Sequence, residues 1–114
     1  MSMHTDTLAT HGVDVSHHFG GGAYAKETRI PAGVVLHQHK HPHAHLSVLA
    51  SGRAYVESAG QGREYVGPLC MTIPAGVPHS VTAVTDVVWY CIHATEDTDP
   101  ATVDTSILTG AEHV

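Results

Sequence analysis

The stretch "HQHKHPHAH" fills residues 37–45 and puts a histidine at every second position, five in all. Two is the period with which side chains alternate across a β-strand, so His37, His39 and His41 would share one face of a strand that ran through them. Neighbours on one face can grip a single metal ion. Pro42 has no N–H to give to a ladder, so the strand should stop there and the chain should turn. His43 then falls in the turn, and His45 opens the next run, "HLSVLA". A further histidine, His79, ends the Pro/Gly-rich segment "IPAGVPH" far along the chain. Histidines from one hairpin and one distant strand meet only if the sheet closes on itself, as in a barrel.

The surrounding sequence supports that closure. Helical periodicity is nearly absent, and short β-branched or alternating runs are bounded by Gly and Pro. They read as strands over 23–30, 33–39, 46–50, 53–58, 63–67, 69–73, 79–84 and 86–94. "SGR" at 51–53 suits a tight hairpin, "AGQG" at 59–62 a longer one, and "PAGVP" at 74–78 a corner. Eight short strands at this spacing predict an all-β protein, a small antiparallel barrel or two-sheet sandwich. Residues 1–22 are polar and end in "GGG", which predicts a flexible N-terminal arm. The barrel then occupies 23–94, and 95–114 form a C-terminal extension with one helix-start signal, Asp99 as N-cap before Pro100.

Two spaced motifs carry a resemblance. Gly33, five residues, His39-Lys40-His41, three residues, His45, six residues and Gly52 follow the first motif of the cupins, with histidine at position 45 where that family usually has glutamate. Pro74-Ala75-Gly76-Val77-Pro78-His79 matches the centre of the second motif, although Gly67 stands one residue too far away and Ala83 replaces its terminal Asn. Over residues 23–94 the chain therefore resembles a small single-domain cupin, a jelly-roll barrel. The wording around "HLSVLASG" also resembles small cupins associated with tailed phages and prophages, a likeness that carries no function.

The resemblance implies His39, His41, His45 and His79 as ligands of one divalent transition metal per chain. Four neutral imidazoles cancel none of the ion's charge. They suit Fe, Zn, Ni or Cu over the hard, oxygen-preferring ions. A centre this positive should favour anionic oxygen ligands and lower the pKa of bound water. An octahedral ion would keep open positions, whereas a tetrahedral one would be closed, as in structural sites. Candidate acid–base residues are Tyr24, Tyr90 and His93, with Tyr55 and Glu57 as weaker choices. Trp89 and Tyr90 should pack the barrel, and the rest of the interior should be apolar. His37 either lines the site or sits at an exposed edge, and His43 should be solvated. His4, His11, His17, His18 and His113 fall in the ends and are most simply solvated.

Composition removes some functions. The chain of 114 residues has 5 basic and 11 acidic residues, a net charge of −6 with its 12 histidines neutral. That balance excludes a basic surface for nucleic acid or anionic membranes. No apolar run reaches membrane-span length, and the N-terminus has neither the basic start nor the apolar core of a signal peptide. A cytoplasmic protein is expected, with Cys70 and Cys91 as buried thiols. Two classes of function remain. One is a metalloenzyme acting on a small organic acid, enol or sugar-like compound by dioxygenase-, isomerase- or lyase-like chemistry. The other is a non-catalytic metal- or ligand-binding or structural module. A homodimer pairing through an edge strand is expected in either case.

Overall fold

A computed structural model describes residues 12–38 and 44–103. These form nine antiparallel strands, β1 (Asp14–Gly20), β2 (Ala23–Ile30), β3 (Val35–Gln38), β4 (His45–Ser51), β5 (Arg53–Ser58), β6 (Gln61–Val66), β7 (Leu69–Ile73), β8 (His79–Ala83) and β9 (Val87–Ala94). One sheet has the order β1-β2-β9-β4-β7 and the other β3-β8-β5-β6. Only the β1–β2 and β5–β6 connections stay within a sheet. Every other connection carries the chain to the opposite layer, the habit of a jelly-roll sandwich. Among the described residues no helix is long and apolar enough to cross a membrane.

The alternation within each strand explains the core. On the five-stranded sheet, Ile30, Val87, Trp89 and Leu49 point inward, all at most 1% exposed. The other sheet meets them with Leu36, Ala54, Val56, Val81 and Ala83, all buried. These apolar rows fill one end of the sandwich and anchor it by the removal of their surface from water.

Three elements differ from the sequence reading. Residues 14–20, read as part of a flexible arm, form β1, which pairs with β2 along its whole length. Gly21 and Gly22, at φ 59° and 76°, make the tight turn between the two strands rather than a hinge. Residues 1–11 lie outside the described part. Ser51-Gly52 is a corner between sheets, not a hairpin, because β4 and β5 belong to different layers. Cys70 is exposed on β7, whereas Cys91 is buried as expected. The helix-start signal is real: the Asp99 carboxylate accepts from the Ala101 N–H at 2.9 Å, and the Asp99 carbonyl accepts from Thr102 and Val103 at 3.0 Å.

Candidate functional site

The polar end of the sandwich lies beyond the apolar rows. On the five-stranded sheet, Phe19 pairs with Tyr24 and Tyr24 with His93. His45 follows on β4, one residue before the Leu46–Ile92 pair, so it lies beside His93 on the same inward face. The rings form a row. Phe19 and Tyr24 have centroids 5.1 Å apart, Tyr24 and His93 6.3 Å, and His93 and His45 4.6 Å with 26° between their planes. His79, from the opposite sheet, faces this row with its centroid 6.1 Å from that of His45.

Both His45 and His79 are buried, 6% and 4% exposed. Burial disfavours the imidazolium and lowers the His79 pKa below the ordinary histidine value. A hydrogen bond to the Val77 backbone pulls upward without cancelling that. His79 is therefore held in the neutral form that ligates metals. The pair also passes a test of reach. A metal–nitrogen bond of about 2.1 Å plus an imidazole radius of about 1.2 Å allows at most roughly 6.6 Å between the centroids of two rings on one ion. The His45–His79 separation of 6.1 Å is inside that limit. The donor set and its spacing fit a borderline transition metal.

Of the four ligands read from the sequence, His45 and His79 come together, and His39 and His41 lie outside the described residues. Among the described residues no set of three or more His, Cys, Asp or Glu side chains is arranged to hold a metal. His93 stacks on His45 and offers that ring its face rather than a third converging lone pair. His37 is exposed, since Leu36 takes the inward position on β3. Strict alternation would turn His39 outward as well, but β3 ends at Gln38, so the same-face argument stops short of it.

The acid–base candidates separate. Tyr24 is fully buried in the ring row, and its hydroxyl and His17 Nδ1 share a hydrogen bond of 2.8 Å. His93 is half-buried beside it. Tyr90 does not pack the interior: Trp89 takes the inward face, so its neighbour must face out. There Tyr90 joins the Glu27 carboxylate, which also accepts from His18 Nε2 at 2.8 Å and Arg29 Nε at 2.6 Å. These hydrogen bonds, His18's foremost, hold Glu27 below its usual pKa, while burial and then the Glu27 charge raise Tyr90. Tyr55, 41% exposed, and Glu57 are on the outer surface.

One inward row is polar where an apolar lining is expected. His17 pairs with Lys26, Lys26 with Cys91, and Cys91 with Ser47. The Ser47 hydroxyl donates to Cys91 Sγ at 3.8 Å. Sequence reasoning misses His17 and Lys26, because a polar residue within a strand reads as solvated. The available signal is parity: His17 is two positions from both Val15 and Phe19.

No family model matches the sequence, and no curated protein matches it either. Solved structures do match. An RmlC-like cupin from Shewanella frigidimarina superposes with a TM-score of 0.66 at 18% identity, over 78% of this chain and 81% of that one. KdgF from Halomonas sp. gives 0.65 at 16% identity, over 75% and 82%. A salicylate 1,2-dioxygenase variant from Pseudoaminobacter salicylatoxidans gives 0.64 at 15% identity, over 79% of this chain but 31% of that much longer one. Strand order, the crossing connections and these superpositions agree that the chain has the fold of a small cupin domain.

Proposed function

We propose that this chain holds one divalent transition-metal ion through His39, His41, His45 and His79, and uses it in enzymatic chemistry on a small organic acid, enol or sugar-like compound. The observation that carries this reading is the pair of buried imidazoles, one from each sheet, with centroids 6.1 Å apart. The motif spacing supplies the other two ligands. Gln38, whose Cα pairs with that of His79, is the residue before His39, and His45 starts the strand that follows the run.

When bound, such an ion would act as a Lewis acid, drawing an anionic oxygen toward itself and easing deprotonation of water. The protein's own residues have separate tasks. His93 stacks on His45 and fixes the plane of that ring. Tyr24, bonded to His17, keeps a transferable proton next to His93. Half-buried His93 and Lys26 leave this end of the sandwich in touch with solvent, which favours an exchangeable position on the ion over a closed structural shell. KdgF and the salicylate dioxygenase share the fold, and their reactions are not transferred to this chain.

Metal content measures the reading directly. His79→Ala and His45→Ala should each abolish stoichiometric metal binding, while His37→Ala leaves it intact. Retention of metal by His79→Ala would mean that the histidine run captures ions on its own, and the site would be wrong. A bound ion with no exchangeable water would make the site structural rather than catalytic.

A further inference from the structure

We infer that the polar end of the sandwich binds a small carboxylate, held by the Lys26 ammonium and the Trp89 indole N–H beside the His45–His79 pair. The inference rests on the proposed ligand-binding role of that end and names the class of molecule it takes.

Charge is segregated between the faces of the sheets. The acids of the described strands, Asp14, Glu27, Glu57 and Glu64, all occupy outward positions by alternation. Two arginines join them there: Arg29 pairs with Glu27, and Arg53 Nη1 lies 3.1 Å from Glu64 Oε2. Inward positions of the same strands carry only neutral or basic residues. A chain with a net charge of −6 thus lines its interior without a strand carboxylate and brings a lysine there. An anion is the complement of such a surface.

The register locates the lysine. Lys26 pairs directly with Cys91 on β9 and shares its inward face, so its diagonal neighbours on that strand are Trp89 and His93. Diagonal positions in an antiparallel pair are about 7–8 Å apart, within reach of a long side chain. Lys26 is half-buried, as a cation at the mouth of a site should be, with its stem along apolar surface.

Trp89 supplies a second, independent observation. It is fully buried on the inward face, and its Nε1 has no hydrogen-bond acceptor among the described residues. A buried N–H without an acceptor is costly and uncommon in folded proteins. An occupant of the interior carrying an oxygen acceptor would satisfy it. One cation and one N–H donor match the two oxygens of a carboxylate and offer nothing specific to a neutral polyol.

Trp89 is the single tryptophan of the chain, so its emission reports on the occupant directly. Malonate and benzoate would be titrated into the full chain, both chelator-stripped and metal-loaded, against malonamide and benzamide. Emission should shift with the acids and not with the amides, in both states of the protein. Lys26→Met should weaken acid binding by roughly tenfold or more, and Lys26→Arg should restore most of it. Trp89→Phe, followed by calorimetry, should weaken it severalfold. Equal binding of acids and amides, or unchanged affinity in both Lys26→Met and Lys26→Gln, overturns the inference. If acids bind only to metal-loaded protein and ignore Lys26, this inference fails while the metal reading stands. If the stripped protein binds acids through Lys26 but takes up no metal, the metal reading fails and the carboxylate site remains.

Discussion

Gly52→Ala probes the corner on which the architecture turns. Gly52 sits at φ +96°, where the chain leaves β4 in one sheet for β5 in the other. A Cβ there would lie inside contact distance of the Asp86 carbonyl oxygen and 3.1 Å from Thr85 Oγ1. The backbone conformation alone costs a side-chain-bearing residue about 1–3 kcal/mol. Relief of the overlap must move the corner away from the 85–86 loop, and that motion strains a local network. The Gly52 carbonyl accepts from the Gly67 N–H at 2.9 Å, the Arg53 N–H donates to Thr85 Oγ1 at 2.9 Å, and the Arg53 carbonyl accepts from Val84 at 2.9 Å. Loss of one or two of these adds about 1–2 kcal/mol. The total, about 3–5 kcal/mol, is a large share of a domain stability of about 5–15 kcal/mol. Urea titration followed by Trp89 emission measures it. Gly76→Ala is the control, because Gly76 is at φ +71° with nothing within 4 Å of its would-be Cβ. It should lose only about 1 kcal/mol. Should the two variants unfold within about 1 kcal/mol of each other, the close approach at the corner carries no energetic weight and the reasoning fails.

Two further outcomes concern pH. The folded pKa of His79 is lowered by burial, so below the ordinary value of 6.5 the unfolded chain binds the proton more readily. Stability of the metal-stripped protein should fall as pH drops through 6.5 toward the lowered folded value, and His79→Gln should flatten that part of the denaturation profile. Glu27 is also depressed, from 4.5, so its contribution is present above that pH and is lost as pH falls through the folded value. Glu27→Gln should reduce stability at neutral pH by no more than about 1 kcal/mol, because solvent screens His18 and Arg29. The same variant should weaken the acid limb of the profile, and added salt should shrink the difference.

Much of this architecture is legible in the sequence because strands are local. The spans 23–30, 53–58 and 69–73 match β2, β5 and β7 in full. Membership in a sheet is not local, which is why Ser51-Gly52 reads as a hairpin and proves to be a corner. β1 is hidden for another reason. As an edge strand it buries one half-covered face, and His17 interrupts the apolar alternation of Val15 and Phe19. Its pairing with β2 is a tertiary fact that a seven-residue window does not contain. His45 and His79 are legible through spacing. Trp89 and Tyr90 could not both face inward, and parity alone excludes one of them. The outward position of Tyr90 follows from Trp89 taking the core, and that choice depends on packing against the other sheet. Lys26 escapes notice because its neighbour Glu27 is the residue that an alternating pattern would place outside. Composition describes both equally well.

The origin of the two facing imidazoles in opposite layers has a consequence for how much folded protein exists. Anything held between His45 and His79 binds the assembled sandwich and not the unfolded chain. By mass action it then stabilises the fold by about 2.7 kcal/mol at a hundredfold excess over its dissociation constant. Against a domain stability of about 5–15 kcal/mol, that is enough to change the unfolded population by two orders of magnitude. Abundance of this protein would then track the supply of its ligand, with occupancy and persistence governed by one equilibrium.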